Sequence, residues 1–200
     1  MDNEISANKR LSYGPSALAT PANALSVIRI LITPVMMLTI IAYHASYVSL
    51  VLWLVLGSTD WVDGWVARKQ GTTRSGAFLD PLADKILVLG VFVSLVIIRE
   101  VSPIPVAIIA LREITISIYR VIVARSGVSV AATIYGKLKT LFQDLAITIC
   151  LLPIYNRSHG WPVRSAIWIA VIATVLSGID YFLKARSGYF KLKGTTGKGE

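Results

Sequence analysis

One cysteine and two histidines in 200 residues leave little material for disulfide or thiolate–imidazole metal chemistry. Cys150 lies in an apolar stretch without an intrachain partner and reads as a small buried hydrophobe. His44 and His159 fall in short connections with no second ligand at metal-binding spacing. Charge is also sparse: 16% of residues are charged against 54% hydrophobic. With a mean hydropathy of +0.66, this composition excludes an ordinary soluble domain. Residues 1–20 lack the charged start, apolar core and cleavage site of a secretory signal and read as a cytoplasmic lead-in. No internal repeat of the kind that builds an inverted-repeat transporter is visible.

What the chain has is long apolar runs. A membrane-crossing helix needs about 20 apolar residues, and six runs qualify: about 25–43, 47–67, 79–98, 104–124, 134–152 and 163–183. The expected fold is an all-α integral membrane protein of six transmembrane helices over residues 21–185. The cytoplasmic segment 1–20 precedes it and a mobile basic tail, 186–200, follows. The net charge of +9 gathers at Lys9 and Arg10, Arg68 to Arg74, Arg125 to Lys139, and Lys184 to Lys198. Basic residues at the ends of every second run are a topology signal, which argues against nucleic acid as partner and puts both termini in the cytoplasm. The expected location is the cell (inner) membrane, multi-pass, with the lipid bilayer as solvent. Trp53, Trp161, Trp168, Tyr43 and Tyr47 read as interfacial anchors on the opposite side.

Chemistry concentrates around four aspartates. Asp60 and Asp63 are spaced i,i+3 near the cytoplasmic end of the second run, and Asp80 and Asp84 are spaced i,i+4 at the start of the third. Each spacing puts two carboxylates on one helical face, and the short basic loop makes the two helices antiparallel neighbours. An aspartate at a helix centre costs about 2.5–3.5 kcal/mol to insert, so four of them call for a compensating charge. A divalent cation with oxygen ligands, shared with a substrate phosphate, meets that need. The bland alternative is a set of helix-end charges facing water, with Asp80 as an N-cap before Pro81. It accounts for one aspartate and leaves three. Gly64, Ala67, Gly76 and Ala83 keep the surroundings small, and Arg68 and Lys69 supply positive charge at the cytoplasmic mouth.

The pattern D-x2-D-G-x2-A-R-x7-G-x3-D-x3-D, from Asp60 to Asp84, resembles the signature of the CDP-alcohol phosphotransferase family at each of its eight fixed positions. The resemblance implies Mg²⁺ or Mn²⁺ bound by Asp60, Asp63 and Asp80, with Asp84 as general base and further metal ligand. It also implies a CDP site formed by Asp60, Asp63, Gly64, Ala67, Arg68, Gly76 and Asp80, an active site facing the cytoplasm, and a homodimer.

The signature leaves the acceptor open. The fourth run holds Arg112-Glu113 and Arg120, and the fifth opens on Gly136-Lys137-Leu138-Lys139-Thr140. A self-contained Glu113–Arg120 pair is one reading. An anion site built by Arg112, Arg120, Lys137 and Lys139 is the other, favoured by the excess of positive charge over Glu113. These segments, with Leu79 to Lys85 and the opening Asn23, Leu25, Arg29 and Pro34, are similar to the bacterial phosphatidylglycerophosphate synthase branch of the family. Ser26 stands where that branch has threonine, and Pro21 is displaced by one position. The implied reaction joins CDP-diacylglycerol and sn-glycerol 3-phosphate into phosphatidylglycerophosphate and CMP. The alternatives are a cardiolipin synthase of the same family with phosphatidylglycerol as acceptor and, from another class, a divalent-cation transporter. The transporter leaves Arg68 and Gly76 without a role.

Overall fold

The computed structural model describes the backbone of residues 21–70, 76–125, 134–155 and 160–196, and the side chains of 24–59, 81–120, 122, 134–155 and 160–184. The described residues form six helices: α1 (Pro21–Tyr43), α2 (Tyr47–Gln70), α3 (Gly76–Ile97), α4 (Pro103–Arg125), α5 (Ile134–Leu151) and α6 (Trp161–Thr196). A single 3₁₀ turn, Pro153–Tyr155, follows α5. The first five helices coincide with the apolar runs to within about one turn.

α6 does not. It continues through Thr196 into the stretch expected to be a mobile tail. Backbone hydrogen bonding needs no apolar side chains, and the stretch contains no proline. Gly188 and Gly194 cost only about 1 kcal/mol each relative to alanine, and basic residues near a helix C-terminus complement its dipole. The expected lead-in, 1–20, lies outside the described residues.

α3 begins one turn before Asp80, so Asp80 and Pro81 sit inside the helix and Asp80 is not its N-cap. The α1–α2 corner closes tightly. His44 takes a positive φ of 56°, the Ser49 hydroxyl donates to the His44 carbonyl at 2.9 Å, and Ser46 caps α2 by accepting the Ser49 N–H.

α1 packs against both α2 and α3, α5 against α2, α3 and α6, and α4 against α3 and α6. The core between them holds Met36, Phe92, Leu95, Ile109, Ile147 and Leu151, all fully buried. The outward faces are apolar as well: Leu31, Leu38, Leu111, Ile118, Leu141 and Leu183 are all exposed. Apolar surface on this scale marks a lipid-facing protein. Two described helices are long and apolar enough to cross a membrane, Ala24–Tyr43 and Trp161–Lys184, and Tyr47–Thr59 is a shorter apolar helix. Tyr43, Tyr47, Trp161 and Trp168 are exposed, but Trp53 is not an interfacial anchor. It is 4% exposed and donates its indole N–H to Thr148 Oγ1 at 3.1 Å, because its helix face turns toward α5.

Candidate active site

The described ends of α1, α2, α3 and α5 surround a cavity of about 350 Å³ lined by Arg29, Ser58, Asp84, Thr140 and Asp144, with Trp53 and Leu87 among its apolar walls. α1 contributes Arg29, an arginine only 2% exposed within an apolar helix. Such a residue is costly in a membrane unless a polar partner meets it. Its Nη2 donates to Thr59 Oγ1 at 3.1 Å, the residue just before Asp60 on α2. Arg29 therefore reaches the edge of the aspartate motif from a different helix.

Asp60 and Asp63 lie on α2, and Gly76 and Asp80 on α3 in register with Asp84. The side chains of Asp60, Asp63, Gly64, Ala67, Arg68, Gly76 and Asp80 lie outside the described residues. Among the four aspartates, Asp84 is the one whose side chain is described, and it lines the cavity together with Gly57 and Ser58 of α2. The described carboxylates alone form no group of three metal ligands. The donor chemistry nevertheless suits a hard divalent cation: a carboxylate opens on a cavity where two helices continue into three more carboxylates.

A second polar group adjoins the first. Glu113 on α4 is 3% exposed, and one of its oxygens, Oε1, accepts from Lys139 Nζ at 2.6 Å and from Arg112 Nη1 at 2.9 Å. Two cations thus converge on one carboxylate. Arg112 Nη2 also donates to Ser177 Oγ at 2.8 Å, and Gln143 Nε2 to Thr174 Oγ1 at 2.8 Å, so α6 holds both α4 and α5. Lys139 interacts electrostatically with Asp84, and Lys85 with Asp84, Glu113, Lys139 and Arg120. These couplings join the basic cluster to the aspartate cavity.

The four expected acceptor residues do not converge equally. Arg112 and Lys139 meet at Glu113, whereas Lys137 is exposed on the other side of α5. Arg120 is exposed too, with its guanidinium 5.6 Å from the Tyr181 ring centroid. The described partners of Glu113 are Arg112 and Lys139 rather than Arg120, because α5 brings Lys139 across from a helix distant in sequence. Sequence reasoning did not assign Arg29, Asp144 or Ser177 to the site. Arg29 carried a signal, a lone arginine in an apolar run. Ser177 carried none.

The sequence profile described as CDP-alcohol phosphatidyltransferase matches residues 19–177, most of the chain and every helix around both groups. The chain belongs to this family. Among curated CDP-alcohol phosphatidyltransferase relatives, the CDP-diacylglycerol–glycerol-3-phosphate 3-phosphatidyltransferase of Bacillus subtilis is 38% identical over 143 residues, covering 67% of this chain and 71% of that protein. The protein of the same description from Rickettsia bellii is 36% identical over 177 residues, covering 84% and 96%. A probable phosphatidylglycerophosphate synthase of Mycobacterium tuberculosis is 33% identical over 178 residues, covering 86% and 84%. Membership of this transferase family agrees with the lipid-facing surface of the helices.

Proposed function

We propose that this enzyme transfers the phosphatidyl group of CDP-diacylglycerol to sn-glycerol 3-phosphate, giving phosphatidylglycerophosphate and CMP in phospholipid biosynthesis. The observation that carries the reading is the Arg112–Glu113–Lys139 cluster beside Asp84: two cations converging on one carboxylate next to a candidate base. The names of the relatives above support the same acceptor.

In this mechanism Asp60, Asp63 and Asp80, with Asp84 as a further ligand, would hold Mg²⁺ or Mn²⁺, which when bound would offset the negative charge of the donor and of the departing CMP. Gly64, Ala67, Arg68 and Gly76 shape the CDP pocket. The phosphate of glycerol 3-phosphate binds at Arg112 and Lys139, which orients its free hydroxyl toward the donor. Asp84 takes the hydroxyl proton, the hydroxyl oxygen bonds to the phosphatidyl phosphorus, and the bond from that phosphorus to CMP breaks. Arg120 and Lys137, on exposed faces, attract the anionic acceptor to the mouth rather than clasp it. The protein is a multi-pass homodimer of the cell (inner) membrane whose active site faces the cytoplasm, so acyl chains stay in lipid while head groups react.

Purified protein with CDP-diacylglycerol should release CMP when given glycerol 3-phosphate and a divalent ion. CMP release with phosphatidylglycerol alone would make the enzyme a cardiolipin synthase. Metal flux into proteoliposomes without CMP would make it a transporter.

A further inference from the structure

Arg112 stands on α4 between lipid-facing neighbours. Leu111 and Ile114 are exposed, yet the Arg112 side chain is folded inward and only 14% exposed. Left to itself, a long cationic side chain in a membrane helix extends toward the nearest polar boundary. Two bonds prevent this: Nη1 to Glu113 on its own helix, and Nη2 to the Ser177 hydroxyl of α6 at 2.8 Å. Ser177 is itself buried, 2% exposed, so the bond ties the guanidinium to one place on α6.

The next residue of α6 is a glycine. A Cβ at Gly178 would stand 3.4 Å from both Cγ and Nε of Arg112. Nε is the remaining nitrogen of the guanidinium, and it is buried without a hydrogen-bond partner among the described residues. That nitrogen is closed off by α6, so the guanidinium meets a phosphate through its other edge, where Nη1 and Nη2 each carry a second N–H in a planar fork.

We infer that Ser177 and Gly178 are positioning residues for the acceptor: the hydroxyl sets the plane of the Arg112 guanidinium, and the missing side chain lets the guanidinium lie flat against α6 with its Nη edge toward the acceptor phosphate. This rests on the acceptor reading above. It also gives the fourth and sixth helices a shared part in acceptor specificity.

The test uses the full-length protein in lipid–detergent micelles, with glycerol 3-phosphate and phosphatidylglycerol assayed in parallel as acceptors for CDP-diacylglycerol. Ser177→Ala should raise the acceptor KM about tenfold, the scale of one hydrogen bond to a charged group, while the KM for CDP-diacylglycerol stays within about twofold. Ser177→Thr keeps the hydroxyl and should recover most of the loss. Gly178→Ala places a methyl group against Nε and should raise the same KM by about three- to tenfold. An acceptor KM unchanged in Ser177→Ala, or an equal rise for both substrates, overturns the inference.

The unsubstituted protein tests the acceptor reading separately. If it uses phosphatidylglycerol instead, the assignment of glycerol 3-phosphate fails, yet the Ser177→Ala ratio still decides this inference because that acceptor also presents a phosphate. A readout without turnover is the rise in Tm on adding glycerol 3-phosphate, which should be smaller in Ser177→Ala than in the unsubstituted protein. Equal rises in both, or no rise in either, count against it.

Discussion

Asp84 shares a cavity wall with Arg29, Thr140 and Asp144 and lies under the electrostatic influence of Lys139. In the proposed mechanism Asp84 is the base and three other aspartates remain to hold the metal, so its loss should affect turnover far more than donor binding. Asp84→Asn keeps the volume and removes the proton acceptor, so kcat for CMP release should fall by about 10²–10⁴-fold. Binding of CDP-diacylglycerol, measured by equilibrium titration, should change little. Near-normal turnover would remove Asp84 from the role. The aspartates were legible in sequence because their spacing is local: i,i+3 and i,i+4 place side chains together on any helix. The partner of Glu113 was not legible. Arg120 lies at the same helical spacing from Glu113 that makes pairs, but Lys139, from α5, takes the carboxylate at 2.6 Å.

At the scale of elements, the α1–α3 contact sets how closely Arg29 approaches the aspartate helices. Gly90 on α3 makes that contact close: a Cβ there would lie 3.1 Å from Met37 Sδ and 3.1 Å from Thr33 Cγ2. The two neighbours differ in compliance. Met37 is flexible, while Thr33 is β-branched and its hydroxyl is tied to the Arg29 carbonyl at 2.8 Å. Gly90→Val should therefore destabilise the protein by about 1–3 kcal/mol through overpacking, seen as a lower Tm in detergent. Gly90→Ala should cost less as Met37 moves aside. Equal Tm values for Gly90→Val and the unsubstituted protein would show that the contact carries no such constraint. The helices themselves were readable from hydropathy, with one exception. α6 outruns its apolar stretch because hydropathy reports the preferred solvent of a segment, whereas helix length follows from backbone bonding and the lack of a breaker.

For the molecule as a whole, the proposed topology has six crossings and both termini on the cytoplasmic side, as the basic clusters direct. A single cysteine introduced at Ser187, in a Cys150→Ser background, should resist membrane-impermeant thiol reagents in intact cells and react after the inner face is opened. Labelling from outside intact cells would overturn the orientation and move the active site to the other face.

The sequence by itself determined the solvent, the number and extent of most helices, and the aspartate signature. These follow from local pattern: apolar run length, charge placement and spacing within a single helix. Only the tertiary structure decided which polar groups meet. It turned Trp53 inward to Thr148, brought Arg29 to Thr59, and gathered Arg112, Glu113, Lys139 and Ser177 from three helices. It also left Arg120 and Lys137 on exposed faces. Such meetings depend on how helices far apart in sequence rotate and pack to bury their polar stripes together, which no spacing within one helix records.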